Sequence, residues 1–176
     1  MVSERLLPDG FFSEDDIVEY RRLVSQLHDG DTLVELGVWI GRSLCSVAHV
    51  IREKHLKVIA VDTFTKLRAH GKPPLTKPQI EVFRENMRQF GVEPQCVRLP
   101  SHLAADYVPG EVAMVFIDAD HTYQAVKADI AAWHPKVTRI LAGHDYGHPK
   151  FGVKKAVDEL FPQAHTTGRM WSVGAS

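Results

Sequence analysis

Apolar runs of strand length alternate with amphipathic stretches along the chain. The runs are TLVELGV (32–38), KVIAVDTF (57–64), PQCVRL (94–99), VAMVFID (112–118) and RILAGHD (139–145). Helical patterns lie between them: RSLCSVAHVIREK, KPQIEVFRENMRQFG, a short one near HLAADY, and TYQAVKADIAAW. A further helix precedes the first run, with Ser13 as its N-cap and Ile17, Tyr20, Leu23 and Leu27 at helical spacing. After the fifth run, GVKKAVDELF predicts a last helix and MWSVGAS a short final strand. Continuously apolar strands separated by amphipathic helices belong to a mostly parallel sheet covered on both faces. The pattern therefore predicts one doubly wound α/β domain of three layers over residues 1–176.

The first run ends in ELGVWIGRS (35–43), a strand feeding a glycine turn and then a helix. Such a turn brings bare backbone close to a small molecule. A dinucleotide site would need G-x-G-x-x-G, and here the spacing is G-x-x-x-G with Trp39 and Ile40 filling the turn. A Walker A loop fails because no G-K-[ST] follows, and Glu35 at the strand end would repel a diphosphate. A ligand carrying a cation and hydroxyls fits better, and S-adenosylmethionine (SAM) is one. Asp62 ends the second run, where a carboxylate can accept from both ribose hydroxyls.

Acids and histidines gather at the ends of the fourth and fifth runs. FIDADHTY supplies Asp118, Asp120 and His121, and HDY supplies His144 and Asp145. Neighbouring strands lie about 4.8 Å apart, so these groups can share one pocket and hold Mg²⁺ or Mn²⁺. His121 or His144 could instead act as general base on a hydroxyl. Asp120 or Thr122 is also placed to cap the helix that follows. The loop 65–78, rich in proline and basic residues, is expected to be the least ordered stretch.

E35-L-G37-V-W-I-G41-R-S43 resembles the first motif of class I SAM-dependent methyltransferases, in particular the group of sugar and macrolide O-methyltransferases. VIAVDTF, FIDADHTYQAVKADIAAW, ILAGHDY and GVKKAVDELF extend the resemblance over nearly the whole chain. It implies a Rossmann-like SAM methyltransferase fold. Cofactor contacts would come from Glu35, Gly37, Gly41, Ser43, Asp62, Thr63, Ser101 and Asp118, with Arg42 near the cofactor carboxylate and Phe64 flanking the adenosine. Gly41 would allow the following helix to pack on the strand. The metal set would be Asp118, His144 and Asp145, and the catalytic groups Asp118, His121 and His144. Glu35 could instead bond within its turn, and Ser101 could cap a short helix.

Composition narrows the class. The 176 residues are 44% hydrophobic and 24% charged with a formal net charge of -1, which argues against nucleic acid as partner. Cys45 and Cys96 sit in apolar stretches and read as reduced. The sequence shows no signal peptide and no membrane-length apolar run, so a cytoplasmic protein is expected. The acceptor should be a small hydroxylated molecule, walled by residues 6–12, 65–78 and 147–152, with Lys127 or Lys154 placed to steer an anion. An open pocket would be completed by a second copy, giving a homodimer. Two other classes fit parts of the pattern: a glycosyltransferase using D118-A-D120, and a non-catalytic binding module on the same fold.

Overall fold

The central strands of the parallel sheet are largely apolar because helices cover both of its faces. The computed structural model describes residues 6–68 and 71–174. Strands β1 (Thr32–Leu36), β2 (Lys57–Val61), β3 (Gln95–Val97), β4 (Val112–Ile117) and β5 (Val137–Gly143) run parallel. Strand β7 (Met170–Gly174) pairs antiparallel with β5, and β6 (His165–Thr167) pairs antiparallel with β7. The order across the sheet is β3-β2-β1-β4-β5-β7-β6. The short strand β6 was not legible in the sequence, because HTT is exposed and pairs only with β7.

Helices cover the sheet as the periodicity predicts. α1 (Glu14–Val24), α2 (Arg42–Ser46), α3 (Ala48–Glu53) and α4 (Gln79–Gln89) pack on Leu33, Val58, Ala60, Met114 and Phe116. On the other face, α5 (Ser101–Ala104), α6 (Tyr123–Trp133) and α7 (Val153–Leu160) pack on Val34, Leu36, Val61, Val115 and Leu141. Ser13 caps α1 as expected, and Asp16 closes the capping box back onto the Ser13 amide. Thr122 caps α6, while Asp120 bonds the Thr122 amide. The helix expected over residues 42–54 is interrupted at Val47 and forms two pieces. Among the described residues, no helix is long and apolar enough to cross a membrane. The sequence places His28, His55, His70 and His165 on loops and helix ends and so predicts them solvated; His28, His55 and His165 are exposed, and His70 lies outside the described residues.

The chain reverses direction across the sheet at β1 and β4, and this seam positions the site. Strand β1 stops at Leu36 because Gly37 turns left-handed at φ 84°. A Cβ on Gly37 would lie 2.1 Å from the Asp118 carbonyl oxygen. The glycine is thus required by the neighbouring strand, whatever binds beside it. Gly41, also left-handed, faces Phe83 and Met87 of α4, so it serves helix-to-helix contact and not the helix-to-strand packing expected. Gly37→Ala is predicted to destabilise the cofactor-free protein by roughly 2–4 kcal/mol. Thermal denaturation without ligand checks this, and an unchanged midpoint would refute it.

Candidate functional site

Two adjoining clefts open at the carboxyl ends of the parallel strands. The larger, about 680 Å³, has Gly37, Asp118, His121 and Asp145 among its lining. The smaller, about 490 Å³, is bounded by Asp62, Thr63, Leu99, Ser101, His102 and Ala125. Gly37, Asp62, Lys66, Ala119 and His121 line both, so the two form one groove across the switch point. The N-terminal segment, the loop after β2 and the turn after β5 wall it through Phe11, Phe12, Lys66, Arg68, His148 and Phe151.

Asp62 stands just past β2. Its Oδ2 accepts from the Trp39 amide at 3.1 Å and its Oδ1 from the Phe64 amide at 2.8 Å. A carboxylate has about four lone-pair positions, so each oxygen keeps one for a further donor. Thr63 and Ser101 line the smaller cleft. Ser101 does not cap α5, whose N-cap is Pro100, and its carbonyl accepts from Trp133 Nε1. Phe64 corrects the expectation: it is buried against Phe83 at 5.6 Å and lines neither cleft.

Glu35 is fully buried and points away from the groove toward α1. Tyr20 donates its hydroxyl to Oε2 at 2.7 Å, and Ser43 donates to Oε1 at 2.5 Å. Burial pushes the Glu35 carboxyl up to about 8, against the lowering effect of those two hydrogen bonds. Of the alternatives for Glu35, internal bonding is what the structure holds, though its partners are Tyr20 and Ser43. Ser43 lines the larger cleft, with its hydroxyl committed to Glu35. Arg42 lines the cleft too, and donates to the carbonyls of Phe12 and Pro8, which ties down the N-terminal segment.

His144 is the main correction to the expected metal set. It is 4% exposed and lines neither cleft. Its Nε2 lies 3.1 Å from Asp16 Oδ2, an ion-pair distance without a well-aligned hydrogen bond, and its Nδ1 lies 3.6 Å from Asp145. Burial disfavours the imidazolium, yet Asp145, Asp16 and Asp118 together hold its pKa at about 10. Burial likewise opposes an ionised Asp16, but His144 and Ser13 keep its carboxyl at about 2. His144 therefore bridges α1 to the end of β5 as a buried ring among carboxylates, and it does not face either cleft. Nothing in the local sequence signals this, because Asp16 lies far away in the chain.

His121 takes the place expected of His144. Its Nε2 lies 3.2 Å from both Asp118 Oδ1 and Asp145 Oδ2. The ligand atoms of Asp118, His121 and Asp145 all fall within 4.8 Å of one another. Two carboxylates and one imidazole suit a divalent cation of the Mg²⁺ or Mn²⁺ kind. Burial opposes charging His121, but its bond to Asp118 and the two carboxylate charges raise its pKa. The ring also stacks on Phe151 at 4.5 Å, and Phe151 on His148 at 3.9 Å. Lys127 and Lys154, expected near the pocket, instead pair with Glu159 and Asp158 and line neither cleft. The loop 65–78 is pinned in its described part: Gln79 Oε1 accepts from the Lys66 amide, and Lys72 pairs with Asp9 at 2.6 Å.

Comparison with known proteins gives the family and the fold. The sequence profile of a family described as "Methyltransferase domain" matches residues 34–146. No curated protein sequence matches the chain. The O-methyltransferase NovP superposes with a TM-score of 0.68 at 19% identity, over 96% of this chain and 84% of that one. A candidate methyltransferase from Streptococcus mutans, solved in complex with SAH, gives a TM-score of 0.67 at 13% identity, over 94% of this chain and all of that one. An rRNA methylase from Streptococcus thermophilus gives a TM-score of 0.63 at 13% identity, over 94% and 97% of the two chains. Likeness at these identities establishes a shared fold.

The buried Glu35 generates a prediction about pH. Its pKa in the folded protein, about 8, lies above the ordinary 4.5, so the folded state holds a proton that the unfolded chain releases in that window. The Glu35 contribution to stability thus falls as pH rises from about 5 to about 8. Glu35→Gln keeps the shape without the ionisation. The variant's melting temperature relative to wild type should rise by at least about 2–4 °C between those pH values. A difference that does not change with pH would show that Glu35 does not carry a proton there.

Proposed function

The chain belongs to the methyltransferase-domain family of class I SAM-dependent enzymes; from this premise we propose that it methylates a hydroxyl of a small acceptor with help from a divalent cation. The observation that carries the reading is the family match over residues 34–146, the stretch that supplies the cleft floor from Gly37 to Asp145. The likeness to the O-methyltransferase NovP supports oxygen as the acceptor atom. The glycosyltransferase alternative has less support, because the family match is to a methyltransferase domain and Asp120 Oδ1 accepts from the Thr122 amide at the start of α6.

When bound, SAM supplies an activated methyl group on a cationic sulfur. Asp62 has lone pairs left for the ribose diol, and Thr63 and Ser101 line the cleft that would take the adenine. Gly37 and Asp118 both line the larger cleft, which would take the methionine portion. Asp118, His121 and Asp145 fit a divalent cation, which when bound would lower the pKa of an acceptor hydroxyl. Without a cation, His121 Nε2 is already engaged by Asp118 and Asp145, at 3.2 Å from each, and is not free to accept a hydroxyl proton. Asp118 Oδ2, which no donor among the described residues engages, is the group we assign to take the hydroxyl proton. With its proton passed to Asp118, the acceptor oxygen would be free to take the activated methyl group, and the cofactor would leave as the neutral thioether. Holding the two reactants in line accounts for most of the rate.

Titration calorimetry with S-adenosylhomocysteine tests the cofactor part. Micromolar affinity, roughly -8 kcal/mol, is expected, with at least a tenfold loss in Asp62→Ala. No heat and no thermal shift at about 1 mM ligand, near -4 kcal/mol, would remove the cofactor claim. For the cation, EDTA and Asp118→Asn should each lower turnover by roughly a hundredfold or more. Activity indifferent to EDTA but lost in His121→Ala would assign proton removal to His121 instead.

A further inference from the structure

The chain as a whole carries slightly more acid than base, 22 Asp and Glu against 21 Lys and Arg. The larger cleft reverses that balance. Arg42, Lys66, Arg68, Lys150 and Arg169 line it together with His148, against the three carboxylates Asp62, Asp118 and Asp145. The acids are engaged: Asp62 with two backbone amides, Asp118 and Asp145 with His121. Arg42 opens α2 and is committed to the N-terminal segment, while the other four bases belong to the surrounding loops and are mostly unmatched. Among the described residues, Lys66, Arg68 and Lys150 have no carboxylate within ion-pair distance. Arg68 donates Nε to the Lys72 carbonyl, which leaves the outer guanidinium nitrogens available. Arg169 touches Asp145 at 3.5 Å through one nitrogen and is about half exposed.

We infer that the methyl acceptor is a small anion, a hydroxylated carboxylate or phosphate ester, whose charged group is held by Arg68, Lys150 and Arg169 while its hydroxyl reaches Asp118. The inference rests on the methyltransferase reading of the same cleft. Its physical reason is charge balance: the cofactor is a cation, a divalent ion adds two further charges, and the cleft contributes five basic side chains. A neutral acceptor would leave those charges facing one another in a partly enclosed space, whereas an anion at the mouth offsets them. Arginine's planar fork suits a carboxylate or phosphate held at two oxygens. His121, Phe151 and His148 stack face to face and line the same cleft as these cations. An RNA backbone is the less favoured occupant, because the acidic floor repels a phosphodiester drawn down to Asp118.

The test is calorimetry on the full chain saturated with S-adenosylhomocysteine and Mg²⁺, using matched probes. These are 3,4-dihydroxybenzoate against 3,4-dihydroxybenzyl alcohol, and glucose 6-phosphate against glucose. At least one acid should bind about tenfold or more tightly than its neutral partner. Arg68→Ala combined with Lys150→Ala should abolish that preference while S-adenosylhomocysteine affinity stays within about threefold. The inference is overturned if neither acid binds by about 10 mM, if the neutral partners bind equally well, or if the preference survives the double variant. Tight binding of an RNA hairpin with both acids silent would overturn it as well, by assigning the cations to a phosphodiester backbone. In all these cases retained binding of S-adenosylhomocysteine leaves the methyltransferase reading standing, whereas its loss in the wild type removes both.

Discussion

The site depends on how closely the turn after β1 approaches the end of β4. The Gly37 amide donates to Val61 and the Asp118 amide to Leu36, both at 2.8 Å, so three strands are tied together where they end. The His144 amide donates to Ile117 at 3.1 Å and brings β5 into the same line. Asp62, Asp118 and Asp145 follow directly after β2, β4 and β5, so this stitching sets where their carboxylates can go. Any side chain at position 37 would push against the Asp118 backbone and spread the groove. Close packing of backbone at a crossover is what lets three carboxylates border one cleft.

A second constraint lies beneath the cleft. His144 is a buried ring among Asp16, Asp118 and Asp145, and Glu35 is a buried acid held by Tyr20 and Ser43. Both centres join α1 to the carboxyl edge of the sheet. Burying charge is costly unless it is paired, and pairing across elements makes the position of α1 and of the strand ends interdependent. The N-terminal segment reaches the cleft through this linkage: Phe12 packs against Tyr20 and His144, and Arg42 holds the carbonyls of Pro8 and Phe12. The wall of the pocket and the protonation of its base are thus supported by one network.

The cleft itself is layered electrically. Carboxylates and His121 form its floor, where a hydroxyl would lose a proton, and loop cations form its mouth. That separation keeps the basic rim from neutralising the acids that could hold a metal ion, because among the described residues Arg169 alone of the lining bases comes within ion-pair distance of one of them, at 3.5 Å. The aromatic stack running from His121 to His148 lines the same cleft. Charge placed in this way orients a dipolar or anionic molecule before any specific contact is made.

Periodicity along the chain was enough to obtain the doubly wound sheet, the helix starts at Ser13 and Thr122, and the strand ends carrying Asp62, Asp118 and Asp145. Those features depend on local spacing and on the burial of both sheet faces, which a linear pattern records. The roles of Glu35 and His144 could not be read in that way. Each looks like a pocket residue from its neighbours in sequence, yet each turns toward α1, where Tyr20 and Asp16 wait some fifteen to well over a hundred residues away in the chain. The choice of His121 over His144, and the gathering of Arg68, Lys150 and Arg169 at one mouth, likewise required tertiary structure. Which face of a strand end a polar side chain takes is decided by the partner that satisfies it, and here those partners come from distant elements.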